Sequence, residues 1–172
     1  MTEAIRTALE GATKYLTENP DEARYTDSAA RATIEGGLRC RVAGPAGELL
    51  ETDMPGAVGG AGSAPSPGWF LRAAVASCAA SLAVMRAAQL GVDNFRCAVE
   101  VDSESDDRGI LGIDASVPGG PLSMRVAFDI TATDARRDQL EEIAQWAVEH
   151  CPVSDAVRRA IPVSVEVAGA EP

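Results

Sequence analysis

Residues 64–91 read APSPGWFLRAAVASCAASLAVMRAAQLG, a proline-flanked entry followed by one long apolar run. Ser66 suits a helix N-cap, Pro67 the first helical position and Gly91 a stop. Between them Trp69, Phe70, Leu71, Val75, Leu82, Val84, Met85 and Leu90 are set among alanines. The spacing predicts a helix of roughly 35 Å at about 1.5 Å per residue. Because it is apolar nearly all round, burial from several sides is expected, in mid-domain or at a subunit interface. In the middle of this run sits a cysteine, Cys78.

Working outward, Thr2, Ala4, Ile5, Ala8, Leu9, Ala12 and Leu16 have helical spacing behind a capping threonine. From Ser28 the period changes to two. The stretch AARATIEGGLRCRVAG predicts a hairpin turning at Gly36-Gly37, with Leu38, Cys40 and Val42 on one face and Arg39 and Arg41 on the other. GELLETD gives a third strand, and MPGAVGGAGSAPSP a loop without a phosphate-binding or dinucleotide fingerprint. Beyond the long helix, DNFRCAVEVDSES and PLSMRVAFDITAT are strands joined by a long connection. A second helix over DARRDQLEEIAQWAVEHC takes Asp134 as its cap, with Leu140, Ile143, Ala144, Ala147 and Val148 inward. Pro152 opens a short helix, and IPVSVEV is expected to close the chain as a strand. Strands in two groups, each followed by a helix, predict an α+β fold, with helices on one face of largely antiparallel sheet.

Composition narrows the function. In 172 residues, hydrophobic types make up 46 % and charged types 24 %, the balance of a single globular domain. Lys and Arg number 15 against 26 Asp and Glu, a net charge of −11. Nucleic acid and anionic membrane surfaces both call for clustered basic residues, so neither is expected as a partner. The N-terminus lacks a secretory pattern, and Arg72 and Arg86 bracket the apolar run, so a cytoplasmic protein without a membrane span is expected.

The four cysteines divide by setting. There is no C-x-x-C pair, and His150 beside Cys151 gives no zinc-ligand spacing, so no metal site is expected. Cys40 and Cys97 fall on apolar strand faces and read as small core residues. Cys78 has Ala74, Val75, Ser81 and Leu82 at helical neighbour positions, where desolvation would raise its pKa. On these residues alone it too reads as core, unless another segment supplies a cation. Cys151 differs, standing where one helix ends and Pro152 begins the next, so free amide N–H groups there favour a thiolate. Adjacent side chains diverge, and His150 reads as a helix-end residue meeting terminal carbonyls rather than as an imidazolium partner.

The alanine-rich helix with its proline-rich entry and internal cysteine resembles the central helix of the OsmC/Ohr family. HCPVSDAV is similar to that family's second cysteine motif. The likeness covers roughly residues 29–167. It implies an OsmC-like domain over residues 27–172, preceded by a helical extension at 1–26. It further implies an intertwined homodimer with sites at the subunit interface, and a thiol peroxidase that reduces organic hydroperoxides, and hydrogen peroxide less well, without cofactor. On this resemblance Cys78 is the peroxidatic and Cys151 the resolving cysteine, and the apolar run is a pocket wall for a hydrophobic peroxide. A sulfenic acid on Cys78 would condense with Cys151 to a disulfide, which an external dithiol or lipoyl-type reductant reopens.

The family's efficient members carry a Glu just after the helix-opening proline, holding a catalytic Arg against the thiolate. Here that position is Gly68, and the Arg would be Arg39 or Arg41. Without that Glu, high turnover is not expected, and two alternative readings stand beside the peroxidase. One is a non-catalytic dimer that binds a small apolar ligand, its cysteines serving as packing; the other is a slow thiol redox sensor.

Overall fold

A computed structural model describes residues 2–169 of the chain. An N-terminal helix, α1 (Thr2–Glu18), precedes a meander of β1 (Arg31–Gly36), β2 (Arg39–Ala43) and β3 (Leu49–Thr52). The long helix α2 (Pro67–Gln89) follows, then β4 (Arg96–Glu104), a single turn of helix α3 (Asp107–Ile110), and β5 (Ser123–Thr131). Two further helices, α4 (Arg137–His150) and α5 (Pro152–Arg158), end the regular structure. All strand pairs are antiparallel and form two separate sheets, β1-β2-β3 and β4-β5. The α+β class read from the sequence is the one observed.

The predicted hairpin forms one residue later than expected: Gly36 ends β1 and the turn is Gly37-Leu38. Leu38 is therefore a turn residue rather than a member of the Cys40 and Val42 face. Gly37 takes φ +56°, a left-handed conformation that glycine adopts without a Cβ penalty. Arg39 and Arg41 share the exposed face of β2, while Cys40 and Val42 are half-buried. Ser66 caps α2, accepting the Trp69 N–H at 3.3 Å, and Gly91 ends it at φ +68°. Asp53, buried at 2 % exposure, ties down the loop that leads into α2. Its carboxylate accepts from the backbone N–H of Met54, Ala61 and Ser63 and from the Ser63 hydroxyl. The Ser63 donors hold this carboxyl below the usual range.

The core forms where α2, α4 and the β4-β5 sheet meet. Ala83, Ala87, Val92, Ile143 and Ala147 are buried there, with Phe95, Cys97, Phe128 and Leu140 packed around them. On α2 the buried positions Val75, Ala79, Ala83 and Ala87 recur every four residues, one helical stripe of mostly small side chains. Small residues let α4 and the sheet approach the helix axis closely, and an apolar core poor in aromatics follows from that.

Two further expectations need correction. Asp134 does not cap the second helix, which starts at Arg137 behind Arg136 as its N-cap; Asp134 lies in the connection from β5. IPVSVEV is not a strand within the chain. Its alternation is intact, but no sheet edge of the same chain pairs with it, and Val163, Val165 and Val167 stay more than 80 % exposed. Within one chain the long helix is buried along one stripe, and Trp69 is 49 % exposed. By length and composition α2 would pass for a membrane span, which was not expected. In this fold its buried stripe is core, and Arg86 reaches across to Glu142 on α4.

Candidate active site

Cys78 lies midway along α2 and is half-buried; Cys151 is completely buried. Two local features set the position of Cys151. The chain must leave α4 and enter α5 without a loop, and Pro152 fixes the first position of the new helix. Cys151 then takes the extended N-cap conformation, φ −71° and ψ 115°, with Sγ turned toward the first turn of α5. There it accepts the Ser154 backbone N–H at 3.3 Å. Because α4 and α5 both pack on α2, this junction comes down beside Cys78. The two thiols are neighbours there, and each bears on the other's proton.

The pair divides its proton unevenly. Burial pushes the Cys78 thiol up to about 11, helped by its hydrogen bond to Cys151 and opposed by the Val153 N–H. Burial also pushes Cys151 up, but more donors oppose it there. The Ser154 side chain, the Cys78 thiol and the backbone N–H groups of Ser154 and Val153 together bring Cys151 below the ordinary thiol range. The accessible sulfur therefore holds its proton more tightly than the buried one.

Arg39 and Arg41 are not part of this cluster within one chain. Arg39 bonds Glu51 at 2.7 Å on the neighbouring strand and lies 3.8 Å from Glu35, while Arg41 lies 3.9 Å from Glu35. Neither guanidinium acts on the Cys78 thiol. Gly68, at the second position of α2, has room for a side chain: a Cβ there would come no closer than 3.9 Å to Arg72 and Ser66. Arg72 itself points to Ser103 on β4 at 3.4 Å.

Cys40 is half-buried on β2, outside the core cluster, whereas Cys97 takes the core role expected of it. Cys97 packs against the buried cluster, and burial followed by the Asp129 charge raises its pKa. His150 meets the Trp146 carbonyl at 2.9 Å through Nδ1 and stacks on the Trp146 ring, the helix-end role expected of it. Among the described residues there is no cluster of three or more His, Cys, Asp or Glu able to hold a metal.

One neighbour of the pair was missed from sequence. Ser154 is 7 % exposed, and its Oγ has no hydrogen-bond partner of ordinary geometry. The signal was present in CPVS: a residue three places after an N-cap sends its N–H back to the capping atom, which places its side chain beside that atom.

A family model described as OsmC-like protein matches residues 60–166. No curated protein matches the chain. Among solved structures, an organic hydroperoxide resistance protein OsmC from Legionella pneumophila is 24 % identical, with a TM-score of 0.56 over 78 % of this chain and 91 % of that one. An OsmC-like protein from Mycoplasma pneumoniae is 12 % identical, with a TM-score of 0.61 over 80 % and 89 %. An OsmC-like protein of unknown function from Vibrio cholerae is 12 % identical, with a TM-score of 0.59 over 77 % and 94 %. At these identities the likeness is one of fold.

Proposed function

Because this chain belongs to the OsmC-like protein family, we propose that it is a cysteine-based peroxidase acting on organic hydroperoxides. The observation that carries this reading is the pairing of a half-buried thiol, Cys78, with a buried thiol of low pKa, Cys151. Of these two, only Cys78 has a surface a peroxide can reach. Cys151 lies behind it as a proton acceptor first and a resolving thiol afterwards.

Cys78 gives its proton to the Cys151 sulfur and attacks the distal peroxide oxygen as a thiolate. The O–O bond breaks, and the alkoxide leaves as an alcohol after taking up a proton. Cys78 is then a sulfenic acid, oxidised by two electrons. Cys151 attacks its sulfur, water leaves, and the Cys78–Cys151 disulfide remains. An external dithiol, of lipoyl type or a small molecule, restores both thiols. None of these steps calls for a metal or organic cofactor.

The proposal includes a homodimer. The β1-β2-β3 sheet leaves Ile34 61 % and Leu49 57 % exposed, its first turn leaves Leu38 40 % exposed, and the outer side of α2 exposes Trp69. A second subunit laying its sheet over that side would cover both surfaces. It could also bring Arg39 or Arg41 toward the opposite Cys78, supplying the cation that lowers its pKa.

The test is intact-mass and peptide mapping after one equivalent of an organic hydroperoxide. A Cys78–Cys151 bridge with Cys40 and Cys97 free is the expected product; a bridge through Cys40 or Cys97 defeats the assignment. Gly68 in place of a carboxylate and the high pKa of Cys78 favour a second reading, a slow redox sensor. Turnover in the presence of a dithiol separates the two. Binding of an apolar ligand without any bridge would point to the non-catalytic alternative.

A further inference from the structure

Resting on the reading that Cys78 and Cys151 form the reaction's disulfide, we propose that Ser154 fixes the direction in which this bridge is reopened. The reductant attacks Cys78 Sγ, and Cys151 leaves as a thiolate held by Ser154. Three observations lead there. Cys151 is wholly buried while Cys78 keeps a solvent-facing side, so an external thiol meets Cys78 first. The Ser154 backbone N–H is already directed at Cys151 Sγ, 3.3 Å away. The Ser154 hydroxyl is more than nine-tenths buried without a partner of ordinary geometry, in contact range of the same sulfur.

An unsatisfied buried hydroxyl is costly unless some state of the protein uses it. A neutral disulfide sulfur is a poor acceptor, whereas a thiolate is a strong one. The hydroxyl can turn its hydrogen toward Sγ as charge develops, making a charge-assisted bond in addition to the backbone one. Thiol–disulfide exchange is faster when the leaving thiol has the lower pKa, and here that is Cys151. Access and leaving-group stability thus select the same sulfur for attack.

The exchange takes two steps. One thiolate of the dithiol bonds to Cys78 Sγ, the Sγ–Sγ bond breaks, and the electron pair goes to Cys151. The second thiol of the reductant, after losing its proton, attacks the sulfur of its own mixed disulfide and expels Cys78, which takes up a proton. The reductant leaves as a cyclic disulfide, and the protein has gained two electrons.

The experiment starts from a bridge made with diamide rather than peroxide, so it does not depend on peroxidase activity. The oxidised protein is mixed with 2-mercaptoethanol, quenched in acid within milliseconds, alkylated and mapped. The mercaptoethanol adduct is expected on the Cys78 peptide, with the alkyl group on Cys151. In Ser154→Ala, reduction by dithiothreitol should be about tenfold slower, the loss of one hydrogen bond to a charged group. In the reduced variant, alkylation of Cys151 should begin at higher pH. Ser154→Thr, which keeps the hydroxyl, should restore both, a rescue that a purely packing role would not give. An adduct on Cys151, or an unchanged reduction rate in a folded Ser154→Ala, overturns this inference alone. If diamide bridges other cysteines, the peroxidase reading falls with it.

Discussion

At the scale of single residues, the site is a division of labour between two sulfurs that differ in burial and in donors. Replacing Cys78 with Ser should abolish peroxide consumption. Cys151→Ser should permit one turnover and stop at a sulfenic acid that dimedone traps, visible as a mass shift on the Cys78 peptide. If Cys78→Ser consumes peroxide at the wild-type rate, the peroxidatic role belongs elsewhere. Gly68 offers an independent test of how the helix entry is built. Its position in α2 has open space and no left-handed φ, so Gly68→Ala should stabilise the fold by about 0.5–1 kcal/mol in urea unfolding, the difference between glycine and alanine in a helix. A destabilised variant would mean that the glycine backbone itself is needed there.

At the scale of elements, α2 is held by small residues rather than large ones. Ala83 is 0 % exposed and faces the cluster with Ile143 and Ala147 on α4. Ala83→Leu forces three extra carbons into that contact, and a loss of about 1–3 kcal/mol is expected from overpacking. Because α4 and its junction with α5 position Cys151, displacement of α4 should also slow bridge formation by diamide. Unchanged stability and bridging rate would show that the stripe has slack. Leading into the same helix, the glycine-rich loop depends on one buried carboxylate, Asp53, and its hydrogen bonds to Met54, Ala61 and Ser63. A residue that composition marks only as the end of a strand therefore sets the approach to α2.

At the scale of the whole molecule, the predictions concern assembly and pH. Light scattering at micromolar concentration should give about twice the 17.8 kDa chain mass, since one chain leaves both the first sheet and one side of α2 uncovered. A 17.8 kDa species would refute the dimer. The pH dependence follows from Cys78. Its folded pKa of about 11 exceeds the ordinary thiol value, so between roughly pH 8.5 and that value the folded chain keeps a proton the unfolded chain has lost. Stability should fall as pH rises through this window. Cys78→Ala should flatten that part of the profile in thermal melts, and an identical slope in the variant would show that the thiol is not the cause.

The sequence by itself determined most of the elements and their kind, the strand expected over IPVSVEV and the short helix α3 excepted. Ser66, Pro67 and Gly91 bound α2 to within two residues, because capping and chain reversal are local chemistry. The hairpin at Gly37 and the two strand groups follow from period and turn residues in the same way. What only the tertiary structure decided is which side chains meet. From α2 alone Cys78 looked like core; the turn from α4 into α5 gives it Cys151 as a neighbour and sets its proton, through contacts far apart along the chain. The strand expected over IPVSVEV failed for the same reason. Alternation makes a segment fit to be a strand, but pairing needs an edge, and this chain places none beside it. Likewise Arg39 and Arg41 could be assigned to one face of β2, but not to Glu51 and Glu35, since the sheet register selects those ion-pair partners.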